Sequence, residues 1–439
     1  MPGTQATMTR TIPITLSVLL LLAVPASAEN WAQWRGPALN GSTTETGLPD
    51  TLDVEQTLAW EAALPGPSAA TPIVWEDRVF VSALDKKTKN LLAICLDRKT
   101  GKILWQNEVA VGHKTNNMND TASPSAITDG KLAYFYYGTG DLVAFDFGGK
   151  QVWARNIQKD HGAFNVLWIY GASPLLYKGK LYVQVLHRDT PVDGSTQDEP
   201  AQSYVLAIDP ATGKDLWKHM RKDEARAESK ESYTTPIPYE IGERSEVIIV
   251  GGDCVTGHNP ETGEELWRVG GWNPGKIGHW RIVPSAVISN GLVITCPPKG
   301  GAVFAIKPEG KGEITETAVA WKNRELTSDV CVPLYYQNNL YVLNGDKRTI
   351  SCVDPATGEK KWTHELGAGK VMRASPTGAD GKIYCMNEGG DVWVLSATEA
   401  KTLSKTSLGG GTARSTIAVA QGQVFVRTGD KLYAFAKKQ

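Results

Sequence analysis

Short apolar runs separated by tight polar turns recur along almost the whole chain. Val79-Phe80-Val81, Leu181-Tyr182-Val183, Leu340-Tyr341-Val342 and Val424-Phe425-Val426 each follow a turn such as Glu76-Asp77, Lys178-Gly179, Asn338-Asn339 or Gln421-Gly422. Before each turn lies another short apolar run with a Pro or Thr at its head. These heads are Pro72, Pro124, Pro174, Pro236, Pro284, Pro333, Pro376 and Thr416. Runs this short, rich in Val, Ile and Tyr and bounded by Gly, Asn and Asp, predict strands rather than helices. Seven steps carry the pattern from Pro72 to Thr416, about 49 residues each. That period, with four strands to a unit, predicts the blades of a β-propeller.

A second motif interleaves with the first. Asp97 to Gly101 leads to Trp105, Asp209-Pro210-Ala211-Thr212-Gly213 to Trp217, Asn259 to Gly263 to Trp267, and Asp354 to Gly358 to Trp362; Asp146 to Gly149 before Trp153 is a shortened copy. Asp or Asn bonds to backbone two residues on, Pro presets φ, and Gly takes the left-handed corner, so each copy predicts a hairpin turn with Trp on the return strand. The Trp positions are Trp60, Trp105, Trp153, Trp217, Trp267, Trp321 and Trp362, with Leu403 in the eighth place. The chain ends one strand short of a complete last unit, after Leu432-Tyr433-Ala434-Phe435. The segment around Trp60 is expected to supply that strand and close the ring. The fold class expected is therefore all-β: an eight-bladed β-propeller over residues 57–439, with four-stranded blades.

The repeat from Ala207 to Trp217 resembles the A-x-D-x-x-T-G-x-x-x-W docking pattern of the pyrroloquinoline quinone (PQQ) propeller repeat superfamily. The resemblance covers roughly residues 57–439 and implies that each repeat Trp wedges between neighbouring blades. The superfamily includes quinoprotein alcohol dehydrogenases and also the outer-membrane assembly lipoprotein BamB, which binds no quinone. Trp31-Ala32-Gln33-Trp34-Arg35-Gly36-Pro37 is similar to the leader of exported PQQ-like repeat proteins.

Residues 1–28 read as a signal peptide. Arg10 gives the positive start, Ile12 to Val24 is mostly apolar, and Ala26-Ser27-Ala28 suits cleavage after Ala28. Initiation at Met1 or Met8 stays open. Residues 29–56 form an N-terminal arm. No transmembrane segment is expected in the mature chain, which should be an exported periplasmic or extracellular soluble protein, and a monomer. Net charge is −1 (46 Lys+Arg against 47 Asp+Glu), which lacks the basic footprint of a nucleic-acid binder. The six cysteines, Cys95, Cys254, Cys296, Cys331, Cys352 and Cys385, have no CxxC spacing and sit mostly in strand-like runs. Buried small hydrophobes are the reading, with disulfide pairing left open.

Interblade segments are long and hairpin loops mostly tight, so the binding face is expected where the interblade loops gather at the channel mouth. Candidates there are Asn117, Asp120, Trp168, Tyr233, Trp280, Arg281, Asp329, Arg373 and Arg414. The arginines suit an anionic group and the aromatics a stacked one. The same groups would equally serve to solvate a wet channel. No HExxH, GxSxG or P-loop pattern is present. Two functions follow: a non-catalytic scaffold that binds a protein, peptide or envelope component without a cofactor, or a PQQ- and calcium-dependent dehydrogenase acting on an alcohol or sugar. For the second, Glu231, Asn165, Asp329 and Arg373 supply the residue types the resemblance calls for, but at spacings that match no motif.

Overall fold

The structure, a computed structural model, describes residues 3–4, 28–115, 119–196, 199–297 and 301–438. Eight antiparallel sheets follow one another along the chain, as the repeat period predicts. Blades 1 to 7 span residues 73–111, 127–156, 175–220, 237–269, 287–323, 334–365 and 377–407. Blade 8 takes three strands from residues 418–435, and its outer strand is Leu58–Ala63. Trp60 stands opposite Ala434 and Ala62 opposite Leu432, so the ring is closed by the start of the propeller. This closure pairs an edge that would otherwise lie open. A short parallel strand, Gly312–Glu313, adds a fifth member to the outer edge of blade 4.

The Thr-Gly-to-Trp motif proves to be an interblade rivet. In blade 3, Gly213 N–H donates to Asp209 O at 2.8 Å and closes the turn. Gly213 has φ +72°, and a Cβ there would lie 2.7 Å from the Trp153 ring of blade 2. Glycine is thus required both by the backbone and by the neighbour. Trp153 then donates its indole N–H to Pro210 O, at 2.8 Å, in the same turn. Trp60 on Arg98 O, Trp105 on Phe147 O, Trp217 on Pro260 O and Trp321 on Pro355 O repeat the arrangement.

Two expected rivets depart from it. Trp267 donates to Glu246 Oε2 of its own blade, at 2.6 Å. Trp362 packs on Tyr341 of its own blade, ring centroids 6.0 Å apart. The reason lies in the blades that follow. The corresponding turn of blade 5, after Ile306, is expanded into Lys307 to Ile314, and that of blade 7, Ser396 to Lys401, contains no glycine. The mixed-charge run from Arg221 to Arg226 is anchored at its first residue. Arg221 is buried and donates to Thr256 Oγ1 and Cys254 O. All six cysteines are buried free thiols, in keeping with their apolar settings.

The arm from residue 29 crosses the end of the channel where the inner strands turn back. Trp31 exchanges backbone hydrogen bonds with Val74 of blade 1, and Ala32 O accepts from Thr128 N of blade 2. Asn40 and Gly41 carbonyls accept from Tyr335 of blade 6 and Gly378 of blade 7. Arg35 is fully buried there and donates to Pro333 O at 2.9 Å and Pro376 O at 2.8 Å. Burial without a carboxylate partner pushes its guanidinium down to about 9.

Candidate functional site

Each inner strand enters the channel from an interblade segment, and the period of two along that entry decides what lines it. Two residues before the strands stand Thr71, Ser125, Ser173, Thr235, Ser285, Val332, Ser375 and Thr416. Their hydroxyls form a belt. Thr71 N–H donates to Ser125 Oγ, Ser125 N–H to Ser173 Oγ, Ser173 N–H to Thr235 Oγ1, and Thr235 N–H to Ser285 Oγ, at 2.8–3.1 Å. Val332 has no hydroxyl to offer, but its own N–H donates to Ser375 Oγ at 2.9 Å. The hydroxyls of Ser125, Ser173, Thr235, Ser285 and Ser375 are therefore joints between neighbouring blades.

One step further out, four residues before the strands, the register gives Ala69, Ser123, Gly171, Tyr233, Val283, Val330, Arg373 and Arg414, and all eight line a central cavity of about 250 Å³. Asn119, Trp168, Arg281, Asp329 and Glu388 complete its rim. The arm contributes one lining residue, Trp34. Because the arm bonds to the turn ends of the inner strands, Trp34 forms a floor and the cavity is a cup open at the interblade face.

Of the nine sequence candidates, Trp168, Tyr233, Arg281, Asp329, Arg373 and Arg414 come together in this cup. Asp120 lies beside it in a smaller recess shared with Asn119 and Arg414, where its carboxylate accepts from Ala122 N at 2.9 Å. Trp280 does not line the cup. It is one residue out of phase with Arg281 and Val283, and its backbone N–H is held by Ser229 Oγ at 2.7 Å. Asn117 lies outside the described residues. Trp34, Asn119 and Glu388 are lining residues that sequence reasoning missed. Asn119 alone carried a signal, since it stands just outside an inner-strand entry among the polar loop residues.

Charge at the cup is held in place by a surrounding set of carboxylates. Arg414 Nε donates to Glu388 Oε1 at 2.7 Å, and Arg373 pairs with Asp346 at 3.1 Å. Arg281 lies 3.4 Å from Glu228, which also accepts from Trp168 Nε1 at 2.8 Å. The Arg281 guanidinium stands over the Trp168 ring, 5.8 Å from its centroid. Behind Tyr233, Glu231 is fully buried. It accepts from Tyr233 Oη at 2.6 Å, Leu167 N at 2.9 Å and Arg188 Nε at 2.5 Å. Burial raises the Glu231 carboxyl above the ordinary carboxylate range, opposed by those hydrogen bonds and by the Arg188 charge. Burial, then the neighbouring Glu231, holds the Tyr233 phenol well above its usual value, so it stays a hydrogen-bond donor.

The residues named for the dehydrogenase reading divide: Asp329 and Arg373 line the cup, and Glu231 and Asn165 do not. Glu231 is committed to Arg188, Tyr233 and backbone, and Asn165 does not line the cup; its backbone N–H is bonded to His187 Nδ1. Among the described residues no group of three or more His, Cys, Asp or Glu is placed to hold a metal ion.

Fold and mouth together define a ring-closed, eight-bladed repeat propeller with a central cavity open at one end. A family model described as outer membrane protein assembly factor BamB matches residues 52–185 and 251–439, and the chain belongs to that family. The polyvinylalcohol dehydrogenase of Sphingopyxis sp. (strain 113P3) is 23% identical over 410 residues, covering 82% of this chain and 54% of that protein. The chain thus spans about half the length of that curated relative. Among solved structures, BamB from Moraxella catarrhalis superposes with a TM-score of 0.60 at 13% identity, over 87% of this chain and 98% of that one. A europium-containing methanol dehydrogenase gives 0.66 at 13% identity, over 93% and 98%. At such identities these likenesses show the fold.

Proposed function

We propose that this protein is an exported, non-catalytic propeller whose cup anchors a segment of a protein, peptide or envelope component. The carrying observation is the cup itself. Its lining holds three guanidiniums, Arg281, Arg373 and Arg414, against two carboxylates, Asp329 and Glu388. Asp329 makes no hydrogen bond or ion pair among the described residues. Trp168 and Tyr233 add aromatic rings to the lining, held through Trp168 Nε1 on Glu228 and Tyr233 Oη on Glu231. An acidic side chain entering the cup would meet forked donors already oriented by Glu388 and Asp346. The family description, an outer-membrane assembly factor, agrees with a binding role in the envelope. Among the described residues no helix is long and apolar enough to cross a membrane. Export itself rests on the signal-like residues 1–28.

The test is a pull-down from the native envelope with intact protein and with an Arg373→Glu/Arg414→Glu variant. A partner retained by the first and lost by the second is the expected result; equal recovery on both would remove the cup from the interaction. The dehydrogenase reading has the dehydrogenase relatives in its favour. It is tested by titrating purified protein with PQQ and Ca²⁺ in a calorimeter. No saturable heat is expected, and saturable binding with dye-linked alcohol oxidation would replace the scaffold reading.

A further inference from the structure

The first described residues of the arm contain an electrostatic arrangement that the cup does not explain. Glu45 is a buried carboxylate, 7% exposed. Its Oε1 accepts from Gln421 N at 3.0 Å and its Oε2 from Gly422 N at 2.8 Å, both in the left-handed turn of blade 8. The third donor is Glu29 N–H, at 2.5 Å from Oε1. No Lys, Arg or His among the described residues pairs with Glu45. A second carboxylate, that of Glu29, is held alongside by Thr43 Oγ1 and by Thr44 N at 2.8 Å. The buried Glu45 carboxylate therefore has no cation, and its residue-29 donor carries a second, partly exposed carboxylate; a buried charge without a partner is penalised.

Glu29 is the residue that follows the Ala26-Ser27-Ala28 cleavage signal. Hydrolysis of the Ala28–Glu29 peptide bond leaves a carboxylate on Ala28 and an amine on Glu29, and that amine takes a proton at neutral pH. We infer that Ala28–Glu29 is the processing site and that the α-ammonium of Glu29 it creates is the missing cation, locked onto Glu45. The amide N–H now bonded to Glu45 becomes an ammonium at the same place. Cleavage removes one contact, Gln421 Nε2 to Ala28 O at 3.3 Å, and that amide keeps Asn30 Oδ1 at 3.0 Å; Glu29 O still accepts from Gln421 N at 3.2 Å, and Asn30 Oδ1 from Glu76 N at 2.7 Å. Processing thereby fastens the arm to blades 1 and 8, on either side of the ring closure. This pairing is independent of what the cup binds.

Two measurements test it. The intact mass of protein exported on its own leader should begin at Glu29; an uncut chain or a start elsewhere would overturn the assignment. For the ion pair, a chain beginning at Glu29 is released from a fusion that leaves no extra residue. Its α-amine should be acylated at pH 7 at least about tenfold more slowly than that of the Glu45→Gln variant, since an amine held one pKa unit higher is about tenfold less often free. A Gly-Ser extension before Glu29 should lower Tm in the chain that keeps Glu45 and leave the Tm of the Glu45→Gln variant unchanged. Equal acylation rates, or an extension that costs the Glu45 chain nothing, would overturn the pairing.

Discussion

At the scale of single residues, the fold depends on a few positions where backbone and neighbour make the same demand. Gly213 is one. Gly213→Ala would force alanine into a left-handed φ of +72° with its Cβ 2.7 Å from Trp153. Strain of this kind, with loss of the rivet, should cost about 2 kcal/mol, read as a lower denaturation midpoint. Asp253 is another special position, held at φ +63° beside Asn273. Burial pushes its carboxyl up to about 6. Its unfolded value lies near 3.9. Between about pH 4 and 6 the folded state therefore binds more protons than the unfolded chain, so this group makes stability fall as pH rises through that window. Asp253→Asn, which keeps an acceptor for Asn273 and tolerates the left-handed backbone, should remove that part of the slope. Urea midpoints of both proteins across about pH 4 to 7 check it, with the variant gaining on the parent as pH rises.

At the scale of elements, the inner-strand entries do two jobs with alternate residues. One phase carries the hydroxyl belt that joins blades, and the same phase two residues out carries the cup lining. Ser173→Ala would leave the buried Ser125 N–H without its acceptor, which now lies 3.0 Å away. The expected loss is about 1–3 kcal/mol, measured as a shift in midpoint at unchanged denaturant slope. Much of this was legible in the amino-acid pattern. The seven Pro-led starts and Thr416 located every inner strand, and with them Tyr233, Arg373 and Arg414, because a period of two is a local property. Trp280 shows where that reading fails: proximity to a strand start is not phase, and one residue of offset turns a side chain away from the channel. Trp267 and Trp362 show a second limit. Whether a Trp rivets depends on the turn of the next blade, and blades 5 and 7 lack the Thr-Gly corner that receives it.

At the scale of the whole molecule, the ring is closed by a strand from the beginning of the propeller and the channel by an arm from before it. The closing strand was foreseen because the last unit lacks an edge. The floor was not, since the path of residues 29–56 is set by contacts with several separate blades and no local pattern encodes it. Trp34 lines the floor and Arg35 ties the arm to blades 6 and 7, so the channel becomes a cup; under the proposed function, that cup takes a side chain of a partner. The most direct measurement of that claim places a photo-crosslinking amino acid at Val330, inside the cup, and at Leu403, 42% exposed on the outer edge of blade 7, in cells that make the protein natively. A discrete adduct formed from position 330 and absent from position 403 is the predicted result. The same adducts from both positions, or none from position 330, would contradict the account.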